Sequence, residues 1–325
     1  MRAFDYVDAT SVEDATTFLQ DEADSALIAG GTELLVLMKN KVINPRLLIN
    51  VKSIDGLHRI RADGEGSLTI GSVATIAELG SDEVVQRSFP ILADAIRVAA
   101  SPQLRNMATV GGNLCQKPRC WYYRGSFDCF LKGARGCHAL NGQNRGSGIF
   151  GRSECYAVNP SDLAPPLVAL GASVVIQSPQ GRKQISLADF FTSPRGELLN
   201  QTILGRDEMV VEVRIPKQPH RSRGVFLKAM ERKTWSFAQA SVAMQLSRSD
   251  DRIEDVRIVL GAIAPIPWRA TAAEDALRAR ALTRQLIEVA SAAAVEGAHP
   301  SGDNRYKVTL VRELVKRGLS ALLNT

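Results

Sequence analysis

Apolar and polar positions along the chain follow two periods, helical and alternating, and switch between them many times. Ser11 precedes Val12, Ala15, Phe18 and Leu19, a three-to-four spacing that predicts a short helix with Ser11 as its N-cap. Residues 26–29 form a short apolar strand that runs at once into Gly30, Gly31 and Thr32, with a helix start at Leu34 and Leu35. Residues 47–51 and 68–71 read as strands, and Thr75 opens a helical stretch over 76–79. Residues 89–100 carry apolar positions at helical spacing until Ser101 and Pro102, and a second polar glycine turn follows over 105–113. Residues 163–170 read as a helix that a Pro pair in its first turn does not forbid. Residues 172–177 and 184–187 flank Pro179, Gln180 and Gly181 as a hairpin, and 210–215 is a strand that stops at Pro216. Beyond a polar linker over 217–223 come three strands, 225–230, 241–246 and 256–262, then helices over 283–296 and 304–323. The last helix sets Val308, Val311, Leu314, Val315 and Leu319 on one face. Strands followed by helices predict a separate small α+β domain.

At 325 residues with 45% hydrophobic content, the chain is long enough for two or three domains with sizeable cores. No apolar run approaches the length of a membrane span, so no membrane insertion is expected. The acidic, polar first residues are unlike a signal or transit peptide. The net charge of +6 does not imply nucleic acid, because most of the chain intersperses its charges. From Lys117 to Arg152, seven Lys or Arg face one Asp, and this single loop carries a net +6 equal to that of the whole chain.

The same loop holds most of the candidate chemistry. All five cysteines, Cys115, Cys120, Cys129, Cys137 and Cys155, fall within 105–163, in a stretch with no clear period. Loops this long are uncommon unless functional or disordered, and the cysteines argue against disorder. Buried free thiols fit poorly, since the neighbours are Arg, Lys, Gly and Asn. Disulfides fit poorly with an odd count and no leader. Zinc sites usually show at least one tight C-x2–4-C pair, and the only close pair here is Cys115 and Cys120. An iron–sulfur cluster is commonly held by four Cys, and Arg119, Arg124, Lys132, Arg135, Arg145 and Arg152 would offset its negative charge. Spacing alone leaves the cluster, zinc and scattered thiols all open. Away from this loop, the strand, glycine turn and helix start around Gly30 bring backbone N–H groups and the Thr32 hydroxyl together, a good setting for phosphate. It is neither the G-x-G-x-x-G fingerprint nor a Walker loop. Some 80 residues on, the turn at Thr109, Gly111 and Gly112 is a second such setting, and the pair suits the two ends of a pyrophosphate.

Several landmarks in order carry a family resemblance across nearly the whole chain. They are Phe4-Asp5-Tyr6, Ala29-Gly30-Gly31-Thr32-Glu33-Leu34, Leu68-Thr69-Ile70-Gly71, Arg105-Asn106 with Ala108-Thr109-Val110-Gly111-Gly112-Asn113, Ser161-Asp162, Asp207-Glu208, Lys228, and Leu260-Gly261 with Ala264-Pro265. With these, the sequence resembles the FAD-binding medium subunit of the molybdenum hydroxylases, the group of xanthine dehydrogenase, carbon monoxide dehydrogenase, bacterial aldehyde oxidoreductases and 4-hydroxybenzoyl-CoA reductase. The resemblance implies an α+β fold. A two-part FAD-binding module of the vanillyl-alcohol oxidase (PCMH) type would span 1–216, with lobes 1–56 and 57–216, and a C-terminal domain of three strands and helices would span 222–325.

It also implies the site. Leu27, Ile28, Ala29, Gly30, Gly31, Thr32, Glu33, Leu34 and Leu35 would hold the FAD pyrophosphate, and Thr109, Gly112 and Asn113 would form the second phosphate turn. Ser161 and Asp162 would contact the flavin region, and Val210 and Lys228 would line its pocket, Lys228 stabilising negative charge on the reduced ring. Ordinary members pass from Gly-Gly-Asn to Ser-Asp through a short segment, whereas here some forty residues (about 116–156) intervene. Such an insertion, with a 4Fe-4S cluster, occurs in the aldehyde oxidoreductase and 4-hydroxybenzoyl-CoA reductase branches. Arg119-Cys120-Trp121-Tyr122-Tyr123-Arg124 and Gly136-Cys137-His138 resemble both, while Asn144-Arg145, Cys155 and Asn159-Pro160-Ser161-Asp162 look closer to the aldehyde branch. The resemblance thus assigns Cys120, Cys129, Cys137 and Cys155 to the cluster, leaves out Cys115, and gives His138 no ligand role.

The implied function is electron transfer with no catalytic residue of this chain's own. Electrons would come from a molybdenum cofactor-binding large subunit through a 2Fe-2S small subunit to FAD, then to an external electron acceptor. The rivals are a 4-hydroxybenzoyl-CoA reductase-like subunit with the opposite flow, a stand-alone FAD oxidase of the same fold, and a zinc-binding interaction protein. The oxidase reading expects a His or Cys for covalent flavin near the first glycine turn, and none stands between Met1 and Lys52. The expected compartment is the cytoplasm, or the periplasm by co-export with a partner that carries the signal.

Overall fold

The structure, a computed structural model, describes residues 1–151 and 153–323. Arg152, counted above among the loop cations, lies outside the described residues. Twelve strands make three sheets among them. The first sheet joins β1 (Asp5–Asp8), β2 (Ser25–Ile28) and β3 (Leu47–Asn50), all parallel in the order β1-β3-β2. Parallel neighbours need a crossover, and the helices Val12–Asp21 and Leu34–Lys39 supply it. Ser11 caps the first of these by accepting from the Asp14 N–H.

The second sheet is antiparallel, with β4 (Ile60–Ala62), β5 (Leu68–Gly71), β6 (Ser173–Ser178), β7 (Gly181–Ser186) and β8 (Met209–Ile215) in the order β4-β5-β8-β6-β7. Its two central strands are apolar on both faces. Val174, Ile176 and Val213 face one core with Phe89, Leu92 and Leu167, while Val175, Met209 and Val211 face another with Ala15, Leu19 and Ile49 of the first lobe. A strand packed on both sides reads as a continuous apolar run rather than an alternation. That explains Val174-Val175-Ile176 and leaves the polar β7 as the exposed edge.

The third sheet holds β9 (Arg223–Ala229), β10 (Ala240–Ser249), β11 (Arg252–Gly261) and β12 (Trp268–Arg269), antiparallel in the order β12-β11-β10-β9. It therefore has a fourth strand beyond the three expected, a two-residue edge too short to show a period. The long helix Tyr306–Leu323 lays Val311, Leu314, Val315 and Leu319 on Met244 and its neighbours. Sequence periodicity also misses β1, β4 and the helix Thr271–Leu277, all short.

The cysteine stretch has little regular structure, only the helical turn Trp121–Arg124 and the 3-10 turns Phe130–Lys132 and His138–Leu140. It is nonetheless anchored to three parts of the molecule. Tyr123 and Cys129 pack on Leu37 of the first lobe, Phe130 and Cys155 pack with Ala157 and Leu199, and Ile149 and Phe150 enter the C-terminal core. Polar anchors fix the same end: Asn304 donates to the Ser147 and Gly148 carbonyls, and the buried Lys307 ammonium donates to those of Gly146 and Ala262.

Candidate functional site

The two glycine turns, far apart in sequence, meet in space. A Cβ added to Gly30 would lie 1.8 Å from the Met107 carbonyl oxygen, so only glycine allows the backbones this close. Gly31 has φ +69°, the left-handed region that lets the chain swing from β2 into the following helix. On the other side, Thr109 caps the turn Val110–Leu114 by accepting from the Gly112 N–H at 3.2 Å. Between the turns opens a cavity of about 700 Å³, within the range of cofactor pockets.

Of the residues expected at the site, Leu27, Ala29, Gly30, Gly31, Thr32, Glu33, Leu34, Thr109, Gly112, Asn113, Asp162 and Val210 line this cavity. Ile28, Leu35, Ser161 and Lys228 are not part of its wall. Ser161 stands behind it as a brace: its hydroxyl donates to Asn113 Oδ1 at 2.6 Å and accepts from the Ala164 N–H. Lys228 also acts from behind. Its buried ammonium lies 2.7 Å from Asp162 Oδ2 and 3.1 Å from the Val98 carbonyl oxygen. Burial pushes the Asp162 carboxyl above the usual range, and Lys228 pulls it part of the way back. The lysine expected beside the flavin ring thus spends its charge on a carboxylate that itself faces the cavity.

Glu33 differs most from expectation. It lines the cavity, yet its carboxylate is gripped by the cysteine loop: Arg124 at 2.6 Å, Arg119 at 2.7 Å and the Lys117 N–H at 3.1 Å. Arg119 and Arg124, expected to offset a cluster's charge, are used here by a residue of the first glycine turn. Sequence reasoning also missed that Gln116, Lys117 and Arg119 reach the cavity, and that Trp235, Ser236 and Phe237 of the C-terminal module close it. Nothing local signals these contacts, since each joins segments far apart in the chain.

Four of the five thiols form one electrostatic group. Cys120 feels the charges of Cys129 and Cys137, Cys129 that of Cys137, and Cys155 those of all three. Burial raises the thiols of Cys120, Cys129 and Cys155, the last to about 12, and nearby backbone N–H groups oppose this in part. Cys115 stands apart. Burial pushes it to about 12 with only the Lys117 charge to oppose this, and it lines the cavity between the glycine turns. Among the described residues, no three His, Cys, Asp or Glu side chains converge closely enough to grip one metal ion.

Residues 2–218 match the FAD binding domain in molybdopterin dehydrogenase, and residues 225–322 match the CO dehydrogenase flavoprotein C-terminal domain. The chain belongs to the molybdopterin dehydrogenase FAD-binding subunits. This FAD-binding subunit is 35% identical to the aldehyde oxidoreductase FAD-binding subunit PaoB of Escherichia coli, over 99% of this chain and 98% of that one. It is 28% identical to the carbon monoxide dehydrogenase medium chain of Hydrogenophaga pseudoflava, over 98% of this chain and 96% of that one. A solved carbon monoxide dehydrogenase from Hydrogenophaga pseudoflava, one lacking the Mo-pyranopterin moiety of its cofactor, superposes with a TM-score of 0.80 at 28% identity, covering 98% and 97% of the two chains. The α+β fold is that of these flavoprotein subunits, and the chain is an FAD-binding, electron-transfer subunit of a molybdenum-containing oxidoreductase. Among the described residues, no helix is long and apolar enough to cross a membrane.

Proposed function

We propose that this FAD-binding subunit carries a 4Fe-4S cluster as well as FAD, and serves an aldehyde-oxidising molybdenum hydroxylase. A molybdenum cofactor-binding large subunit and a 2Fe-2S small subunit complete the assembly, and an external acceptor takes the electrons. The PCMH-type module occupies 1–216 and the C-terminal module 222–325. The aldehyde assignment draws on the 35% identity with PaoB. The observation that carries the cluster is that one loop gathers Cys120, Cys129, Cys137 and Cys155 within electrostatic reach of one another, with Cys120, Cys129 and Cys155 packed against apolar side chains.

FAD bound in the cavity supplies an acceptor for one or two electrons, and a 4Fe-4S cluster supplies one-electron carriage. The chain's own residues do the rest. Gly30 and Gly31, with Thr109 and Gly112 opposite, present backbone to the diphosphate. Asn113 is held by Ser161, and Asp162 is fixed by Lys228, so both polar groups enter the cavity in set orientations. Val210, Leu27 and Leu34 give the cavity an apolar wall that excludes water. Burial favours the protonated thiols of Cys120, Cys129 and Cys155, so iron bound there would displace protons and would be favoured at alkaline pH.

The test is iron, sulfide and flavin analysis of the chain purified without oxygen, with each cysteine changed to serine in turn. Loss of iron at Cys120, Cys129, Cys137 and Cys155 but not at Cys115 is expected. Iron absent from the unaltered chain, or equal loss at Cys115, overturns the cluster. Zinc without flavin sinks the whole reading.

A further inference from the structure

Arg119 sits where the cysteine loop touches the flavin cavity. Its guanidinium is held on three sides: Glu33 Oε2 at 2.7 Å, Gln116 Oε1 at 3.0 Å, and the Phe237 ring, whose centroid lies 4.5 Å away. Glu33, Gln116, Phe237 and Arg119 itself all line the cavity. The buried Nε of Arg119 has no hydrogen-bond partner among the described residues. That nitrogen is closed off from the cavity, so any contact with a cofactor there falls to the rest of the guanidinium. A cation clamped on the wall of the cavity, with an anionic cofactor expected in the adjoining space, is placed to meet that cofactor.

We propose that Arg119 is a further FAD-binding residue, supplied by the cysteine loop, so that flavin affinity depends on the loop being ordered. This rests on the reading of the chain as a flavin and cluster carrier. The geometry ties the two cofactors together directly. Arg119 precedes Cys120, and Glu33 of the first glycine turn ion-pairs with Arg119 and Arg124 and accepts from the Lys117 N–H at once. Cys120, Cys129, Cys137 and Cys155 would hold a cluster, and the backbone of Cys120 would then fix Arg119 beside the cavity. Without a cluster, Arg119 would be held only by the packing and hydrogen bonds that anchor the loop.

The experiment titrates FAD into the full chain stripped of flavin, following the quenching of flavin fluorescence, with iron measured in every sample. Arg119→Met is expected to weaken FAD binding about tenfold, the worth of one hydrogen bond to a charged group, at unchanged iron content. Arg119→Lys recovers part of that loss, which a merely structural role would not. Chelating iron from the unaltered chain lowers affinity by a similar factor, and chelation then adds nothing to Arg119→Met. Should Arg119→Met fail to hold its loop, Phe237→Ala removes the ring above the guanidinium without touching the loop and is expected to cost about threefold. Equal FAD affinity in Arg119→Met at full iron content overturns the role of Arg119. Equal affinity of iron-loaded and iron-free chains overturns the coupling. An unaltered chain that takes up no FAD instead removes the reading beneath both.

Discussion

Gly30→Ala is the smallest change that tests whether the two turns work as one cradle. The added Cβ would lie 1.8 Å from the Met107 carbonyl oxygen and 2.7 Å from its carbon, where real Cβ atoms almost never come within 3.0 Å. The obstacle is backbone, not the flexible end of a side chain, so one turn must draw back from the other by about 1.2 Å. Overpacking of this kind costs about 1–3 kcal/mol, against a gain of about 0.4–1 kcal/mol from a stiffer unfolded chain. The chain relieves the strain by opening the cradle, and FAD must then close it again. Affinity is therefore expected to fall about ten- to a hundredfold, with a modest drop in Tm. Gly64→Ala, which meets nothing within 4 Å, is the control and should change neither. Fluorescence titration and thermal melts on the three proteins decide the matter. FAD affinity in Gly30→Ala within twofold of the unaltered chain would refute the shared cradle.

The remaining predictions concern buried charge. Lys228→Met leaves Asp162 in a buried site without its cation, and is expected to destabilise the chain by about 3–5 kcal/mol. In denaturant unfolding, the Asp162→Asn and Lys228→Met pair combined should cost less than the sum of the single changes; additive costs would show that the pair is not coupled. Burial pushes Lys307 down to about 7 from its ordinary 10.5. Between those values the unfolded chain holds a proton that the folded chain lacks, so stability rises with pH across that window, by at most about 1.4 kcal/mol per pH unit. Lys307→Met should flatten this rise while leaving the Gly146 and Ala262 carbonyls without their donor. Parallel stability–pH curves for the two proteins would show that Lys307 is not the group responsible.

Regular elements with long periods were legible in the chain because local spacing alone specifies them. The helix after Ser11, β5, the helix opened by Thr75 and the long C-terminal helix all follow from positions a few residues apart. The glycine turns were visible for the same reason, since strand, glycine pair and threonine are neighbours in sequence. The cysteine quartet was visible as composition and as a resemblance, but its geometry was not, because its stretch has almost no regular backbone to extrapolate from.

What only the tertiary structure decided are the contacts between distant segments. Gly30 meets Met107, Glu33 meets Arg119 and Arg124, Lys228 meets Asp162, and Phe237 covers Arg119. Each of these four joins residues from 66 to 118 positions apart. A buried charge takes whichever partner the packed chain brings within reach, because going unpaired costs more than any local preference. The sequence therefore determined which chemical groups the chain carries and the short elements that hold them. Packing alone determined that a glutamate from the first glycine turn would be spent on the arginines of the cysteine loop.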